Sequence, residues 1–276
     1  MKILILTDME GIGGVHQPIQ TGKKLSTAEE GHWQYQEARR LQTAEVNAAV
    51  QGALDGGATE VVVWDGHSSG TNFVYEDLHP GAEYIIGGGY RQWFPVDRSY
   101  DAVAFLGFHA KAGTPNGVLE HTQSYDVHFY SVNGVEMGEI GQAALLAGVY
   151  GVPVVFISSD DAGCREAKQL LGDHVVAVAV KTGLGREGAR LKAPQRCREL
   201  IQVGMTEAMA LVGQPEAKPY KLDPPYAVVE EVIAPRTHIQ SKRELARGRT
   251  NFVTRREFVT DSYHMDDVRR PHGPDE

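Results

Sequence analysis

Five short apolar runs constrain this chain more than any other feature. Ile3–Leu6, Val61–Trp64, Ala102–Phe108, Val152–Ile157 and Val175–Val180 are four to seven residues long, and none contains a charge. Runs of this length without polar alternation read as strands buried on both faces. Helical patterns lie between them. From Ser26 to Leu54, Leu41, Ala44, Ala48, Ala49 and Ala53 recur at helical spacing, and Gly56-Gly57 supplies the stop. Ile140–Tyr150 and Ala162–Leu171 are two further helical segments. Strands alternating with helices predict an α/β fold, with a largely parallel sheet and helices on both faces.

One segment breaks the alternation. Residues 125–138 read YDVHFYSVNGVEMG, in which Phe129–Val132 is strand-like and Asn133-Gly134 is a two-residue hairpin turn. An inserted β-hairpin therefore precedes the helix that begins near Glu139. Residues 214–225 are polar and Pro-rich, which predicts a linker or exposed crossover, and a strand at Tyr226–Ile233 follows. The expected organisation is a core over 1–213 and a smaller C-terminal α+β portion over 214–276. The tail from about 266 is polar, contains proline and is expected to be flexible.

Ligands of open α/β sheets bind beyond the carboxyl ends of the strands. The first run ends in Thr7-Asp8-Met9-Glu10, and Asp8 and Glu10 share a side of extended chain. The second ends in Asp65-Gly66-His67 and the third in His109, while Glu139 stands at the hairpin–helix junction. Acids and histidines at these ends make a metal-ligand set in type and placement, because zinc takes imidazole nitrogen and carboxylate oxygen. Five ligands exceed the need of one catalytic zinc. Two metals bridged by Asp8 are the economical reading, with Glu10 and His67 completing one site and His109 and Glu139 the other. Each residue alone also has a structural reading: Asp8 and Glu10 as turn-capping acids, His67 as a turn histidine, and Glu139 as an acid favoured by a helix N-terminus. His109 resists one, because an unpartnered histidine after a fully apolar strand is costly to bury.

His121 lies in a loop that can return to the same pocket. It reads as a nucleophile, a general base, an oxyanion donor or an ordinary loop histidine. His79 and His128 read as structural, and Asp160-Asp161 as a helix cap. GIGG at 11–14 is not a dinucleotide fingerprint, since a prompt helix is missing and the neighbouring carboxylates would repel a pyrophosphate. HExxH does not occur, so a conventional zincin is not expected. A net charge of −9 argues against non-specific nucleic-acid binding. No run approaches the ~20 apolar residues of a membrane span. Two distant cysteines fit a reducing compartment and predict a cytoplasmic protein without a leader segment.

The motifs TDMEGIGG, DGHS, LGFHAKAGTPNGVLEH, NGVEMGEIG and VPVVFISSDDAGCREA occur in this order. Together they resemble the D-aminopeptidase family of zinc metallopeptidases over roughly residues 1–200. The resemblance implies metal ligands at Asp8, Glu10, His67, His109 and Glu139, a catalytic histidine at His121 and two zinc ions per subunit. It further implies hydrolysis of short peptides with an N-terminal D-amino acid, such as D-Ala, by a metal-activated water. A ring-like homo-oligomer is also implied. The competing expectation is a different metal-dependent hydrolase of amides, phosphoesters or nucleosides at the same site. The C-terminal stretch GRTNFVTRREFVTDSYHM lacks a motif-level match.

Overall fold

The computed structural model describes residues 1–22, 29–87, 94–233 and 253–263. A seven-stranded sheet forms the centre. It comprises β1 (Lys2–Thr7), β2 (Glu60–Asp65), β3 (Glu83–Ile85), β4 (Ala102–Leu106), β7 (Val154–Asp160), β8 (Val176–Gly185) and β9 (Gly188–Leu191), in the order β3-β2-β1-β4-β7-β8-β9. All neighbours are parallel except the β8–β9 hairpin. Among the described residues the α-helices are α1 (Glu29–Asp55), α2 (Glu139–Val149), α3 (Asp161–Leu171) and α4 (Pro194–Met209). The start of α1 expected at Ser26 lies outside the described residues.

Strand alternation explains how the sheet is covered. Ile3, Ile5, Val61, Val63, Ala102 and Ala104 point to one face, where they pack with Ala49 and Val50 of α1 and Ile201 and Met205 of α4. Leu4, Leu6, Val62, Trp64, Val103 and Phe105 point to the other, against Ile140 and Leu145 of α2 and Ala167 of α3. Both faces are thus apolar and dry, as parallel strands require. A second, antiparallel sheet joins the latter face. It is formed by β5 (Val127–Val132), β6 (Val135–Glu136), β10 (Tyr226–Ile233) and β11 (Val253–Thr260), in the order β11-β10-β5-β6. Tyr130, Val132, Tyr226, Val228 and Tyr263 carry its buried side, so strands from both sides of residue 214 share one sheet. The tail from about 266 lies outside the described residues.

Four elements go beyond the expected set. β3 is three residues long, and β9 and β11 carry charged side chains, so none shows an apolar run. α4 does carry a stripe, Cys197, Ile201, Met205 and Ala208, with Pro at its start, but charged residues interrupt it. The third apolar run continues to Phe108, whereas β4 stops at Leu106, because Gly107 takes φ 73° and turns the chain. Among the described residues no helix is long and apolar enough to cross a membrane.

Candidate metal centre

The strand order reverses at β1, which has β2 on one side and β4 on the other. Such a switch point opens a crevice at the carboxyl ends of the strands. Asp8 and Glu10 leave β1 there, His67 follows β2, and His109 follows β4. Two glycines let the chain segments close up. A Cβ at Gly11 would lie 1.9 Å from the Phe108 carbonyl, and one at Gly107 would lie 2.4 Å from the Asp8 carbonyl. The main chains of 8–11 and 107–108 therefore pass in direct contact, tied by Asp8 N–H to Leu106 O at 2.9 Å and Gly11 N–H to Gly107 O at 2.7 Å.

The carboxylates and imidazoles meet in this crevice. Asp8 Oδ1 lies 2.9 Å from His67 Nδ1, and Asp8 Oδ2 lies 3.3 Å from His109 Nε2. The two oxygens of one carboxylate thus face two different histidines. Glu10 Oε2 is 3.1 Å from His67 Nδ1. Glu139 Oε1 is 3.5 Å from His109 Nε2 and 3.8 Å from His121 Nε2. Glu139 is the first residue of α2, favoured there by the helix dipole, and its Oε1 accepts the Gln123 N–H at 2.7 Å. The His121 ring stacks on that of His109 at 4.0 Å with 12° between the planes. Tyr125 meets His121 edge-on at 4.7 Å, and the Arg186 guanidinium lies 4.5 Å from the Tyr125 ring centre.

Backbone carbonyls select which imidazole nitrogen faces the carboxylates. His67 Nε2 lies 2.9 Å from Thr21 O, so it holds the ring proton and Nδ1 is the lone-pair side. His109 is reversed: Nδ1 lies 2.9 Å from Ala110 O, and Nε2 is the lone-pair side. His121 likewise places Nδ1 2.9 Å from Leu119 O. Lone pairs and carboxylates are all acceptors, so such a cluster repels itself unless a cation or a proton sits between them. Asp8 Oδ2, both Glu10 oxygens and His109 Nε2 have no partner with hydrogen-bond geometry among the described residues. Asp8, Glu10 and His109 offer ligand atoms within 4.8 Å of one another, and so do His109, His121 and Glu139.

The electrostatics respond to that demand for positive charge. Burial opposes a charge on His109, but Glu139, Asp8 and Glu10 overcome it and push its pKa up to about 10. His67 is raised well above its ordinary value, because Glu10 and Asp8 outweigh its burial. Asp8 is pushed up to about 6 by burial and by the Glu10 charge. Burial also opposes ionisation of Glu139, yet His109 holds it down at about 2. This donor set suits divalent zinc: nitrogen and oxygen ligands, each imidazole fixed by a carbonyl on its far side.

The comparisons with known proteins agree with this chemistry. Residues 1–258 match the D-aminopeptidase family of peptidases. The D-aminopeptidase of Bacillus subtilis (strain 168) is 34% identical over 230 residues, covering 82% of this chain and 78% of that protein. The chain belongs to the D-aminopeptidase family. The solved structure of the Zn-dependent D-aminopeptidase DppA from Bacillus subtilis, a self-compartmentalizing protease, superposes with a TM-score of 0.79 at 29% identity. That match covers 95% of this chain and 93% of the other.

In this D-aminopeptidase-family chain, all six residues expected from sequence, Asp8, Glu10, His67, His109, His121 and Glu139, come together at one end of the sheet. His79 is engaged instead with Gln51 Oε1 and the Gly81 N–H, and His128 is exposed on β5. Asp160 caps α3 through the Gly163 N–H, and its second oxygen accepts the Val118 N–H at 2.6 Å, which ties down the loop that carries His121. Other supporting groups were not expected. Asp65 accepts the backbone N–H of Asn72 and Phe73 and the Asn72 amide, and that amide also donates to the His67 carbonyl. Gln42 donates to the Asp8 carbonyl. A polar residue on the apolar stripe of α1 is the signal that marks Gln42, whereas the Gln123 contact uses main chain and leaves no side-chain signature.

Proposed function

We propose that this protein is a dizinc aminopeptidase that removes an N-terminal D-amino acid from short peptides of the D-Ala type, with His121 as its catalytic histidine. The carrying observation is the set of buried acceptors, carboxylates facing the lone-pair sides of carbonyl-anchored imidazoles, with Asp8 turned toward two histidines at once. Asp8, Glu10 and His67 would hold one zinc, and Asp8, His109 and Glu139 the other. Bound there, the pair supplies Lewis acidity toward a peptide carbonyl and lowers the pKa of a bound water to about 7.

The remaining work falls to the chain itself. Asp8, Glu139 and His121 keep side-chain exposures of 10%, 13% and 7%, against 1% for Glu10 and His109, so substrate arrives on the former side. There Glu139 or Asp8 pairs with the free amine of the peptide. His121 Nε2, the lone-pair side of the ring, takes a proton from the attacking water and then donates it to the oxyanion or passes it to the leaving amine, its ring held by the His109 stack, Tyr125 and the Leu119 carbonyl. Fixing amine and scissile carbonyl leaves one direction for the side chain at Cα, which is how such a site reads chirality. Every proposed site residue belongs to the 1–213 core, and the 214–276 portion contributes strands of the second sheet. A ring-like homo-oligomer is part of this reading, supported by the self-compartmentalizing structural neighbour, and so is a cytoplasmic location, which rests on the sequence alone.

The test is hydrolysis of D-Ala-D-Ala and L-Ala-L-Ala by zinc-loaded protein beside a His121→Ala variant. Preference for the D-peptide and a collapse of turnover in the variant are expected. Zinc-loaded protein that cleaves neither peptide would sink the proposal.

A further inference from the structure

Lys181 is wholly buried on β8, and the chemistry proposed above does not use it. Its ammonium donates to the carbonyls of Glu10 at 2.5 Å, Ile12 at 2.8 Å and Val15 at 2.5 Å. Three donors thus meet three acceptors, and all three acceptors belong to one turn, residues 10–15. A buried charge is costly unless its hydrogen bonds are complete, and lysines usually extend the charged end to water. Here completion is spent on a single segment. The same turn is tethered from α1, where Glu45 Oε1 accepts the Gly13 N–H at 3.0 Å. It has no slack on that side, since a Cβ at Gly13 would lie 2.6 Å from Glu45 Oε1 and 2.7 Å from Cys197 Sγ.

We propose that Lys181 is a positioning residue of the metal centre: by gripping the 10–15 turn it holds the Glu10 carboxylate in register with Asp8, His67 and His109. The proposal rests on reading Glu10 as a metal ligand. Geometry argues for it, because Glu10 is itself one of the gripped residues and its carboxylate oxygens find no hydrogen-bond donor among the described residues. On the carboxylate side His67, 3.1 Å from Glu10 Oε2, is the group that meets the side chain, and it is shared with Asp8, so the backbone sets where the carboxylate lies. The ammonium also sets a positive charge near the Asp160, Glu45 and Glu10 carboxylates, while its hydrogen bonds go to the three carbonyls.

The experiment compares full-length wild-type, Lys181→Met and Lys181→Gln proteins by zinc titration calorimetry and by hydrogen exchange of residues 10–15. Lys181→Met, which keeps the bulk and loses every donor, is expected to bind zinc about tenfold more weakly or worse. Its 10–15 amides exchange faster, while β5 and β10 exchange as in wild type. Lys181→Gln, with two N–H donors, falls between, and replaces Lys181→Met should that variant fail to fold. Lys192, whose ammonium donates to Ala179 O, provides the control: Lys192→Met keeps wild-type values in both measurements. A lowered melting temperature with zinc affinity and 10–15 exchange unchanged would overturn the proposal. Absence of zinc binding by the wild type would overturn the metal reading instead. The two failures are distinguishable because the exchange measurement involves no zinc.

Discussion

Asp65 ends β2 and Glu10 follows the neighbouring β1, both are buried to 1% exposure, and their surroundings are opposite. Asp65 is closed by donors: two backbone N–H groups and the Asn72 amide reach it, and Tyr35 in turn fixes Asn72. Glu10, with Asp8 and His109 beside it, faces acceptors. A buried carboxylate saturated by amides is architecture, and here it shapes the loop that carries His67. A buried carboxylate set against imidazole lone pairs is a demand for positive charge. Burial alone does not separate the two cases; the sign of the neighbours does.

The contrast breaks most sharply on removal of metal. Chelator treatment is expected to abolish peptide hydrolysis and added zinc to restore it, and Asp8→Ala is expected to lose both zinc and activity, as read by metal analysis and assay. Acidification acts in the same direction, because protons compete with metal for the imidazoles. His121→Ala comes next, with turnover reduced by about 10²–10⁴-fold and zinc content unchanged, because this histidine moves protons and holds no metal in the proposed scheme. A variant that loses zinc as well would assign it to the ligand set. On the saturated side, Asn72→Ala leaves Asp65 short of a donor. Denaturant unfolding should show a loss of about 1–3 kcal/mol, and calorimetry about tenfold weaker zinc binding.

Glu45 stands between the two cases and gives the smallest effect. One of its oxygens accepts the Gly13 N–H, the other has no partner among the described residues, and burial pushes its pKa up to about 7 from an ordinary 4.5. A raised folded pKa means that the protonated form is favoured by folding. Its contribution is complete below about pH 4.5 and is lost as pH rises through about 7. Glu45→Gln keeps the acceptor for Gly13 and removes the titration. The stability difference between pH 5 and pH 8, measured by urea unfolding, should shrink by about 2 kcal/mol.

The sheet and its ligand end were legible because parallel strands buried on both faces leave uninterrupted apolar runs. Asp8, Glu10, His67 and His109 stand at the ends of those runs. Glu139 needed the Asn133-Gly134 turn to be read, since only the hairpin brings α2 to the crevice. His121 was harder. Its placement depends on the loop after His109 folding back, and that loop is held by Asp160 and by the Leu119 N–H bond to Arg186 O, contacts remote in sequence. β11 and the Arg186–Tyr125 contact were not legible at all. The first lacks an apolar run, and the second pairs residues whose proximity only the completed β8–β9 hairpin creates.

The contact between the main chains at Gly11 and Gly107 limits how such a site can diversify. Where backbone lies on backbone with no room for one added carbon, the spacing between the acids of β1 and His109 is set by the fold. Apart from the Lys181 grip on the 10–15 turn, substitutions elsewhere have little lever on it. Variation in substrate must be carried by what can change without disturbing that crossing, such as Tyr125 beside His121 and the Arg186 guanidinium on its ring, which also pairs with Glu120 at 3.3 Å. The catalytic spacing behaves as a fixed inheritance, and such side chains as the part open to selection.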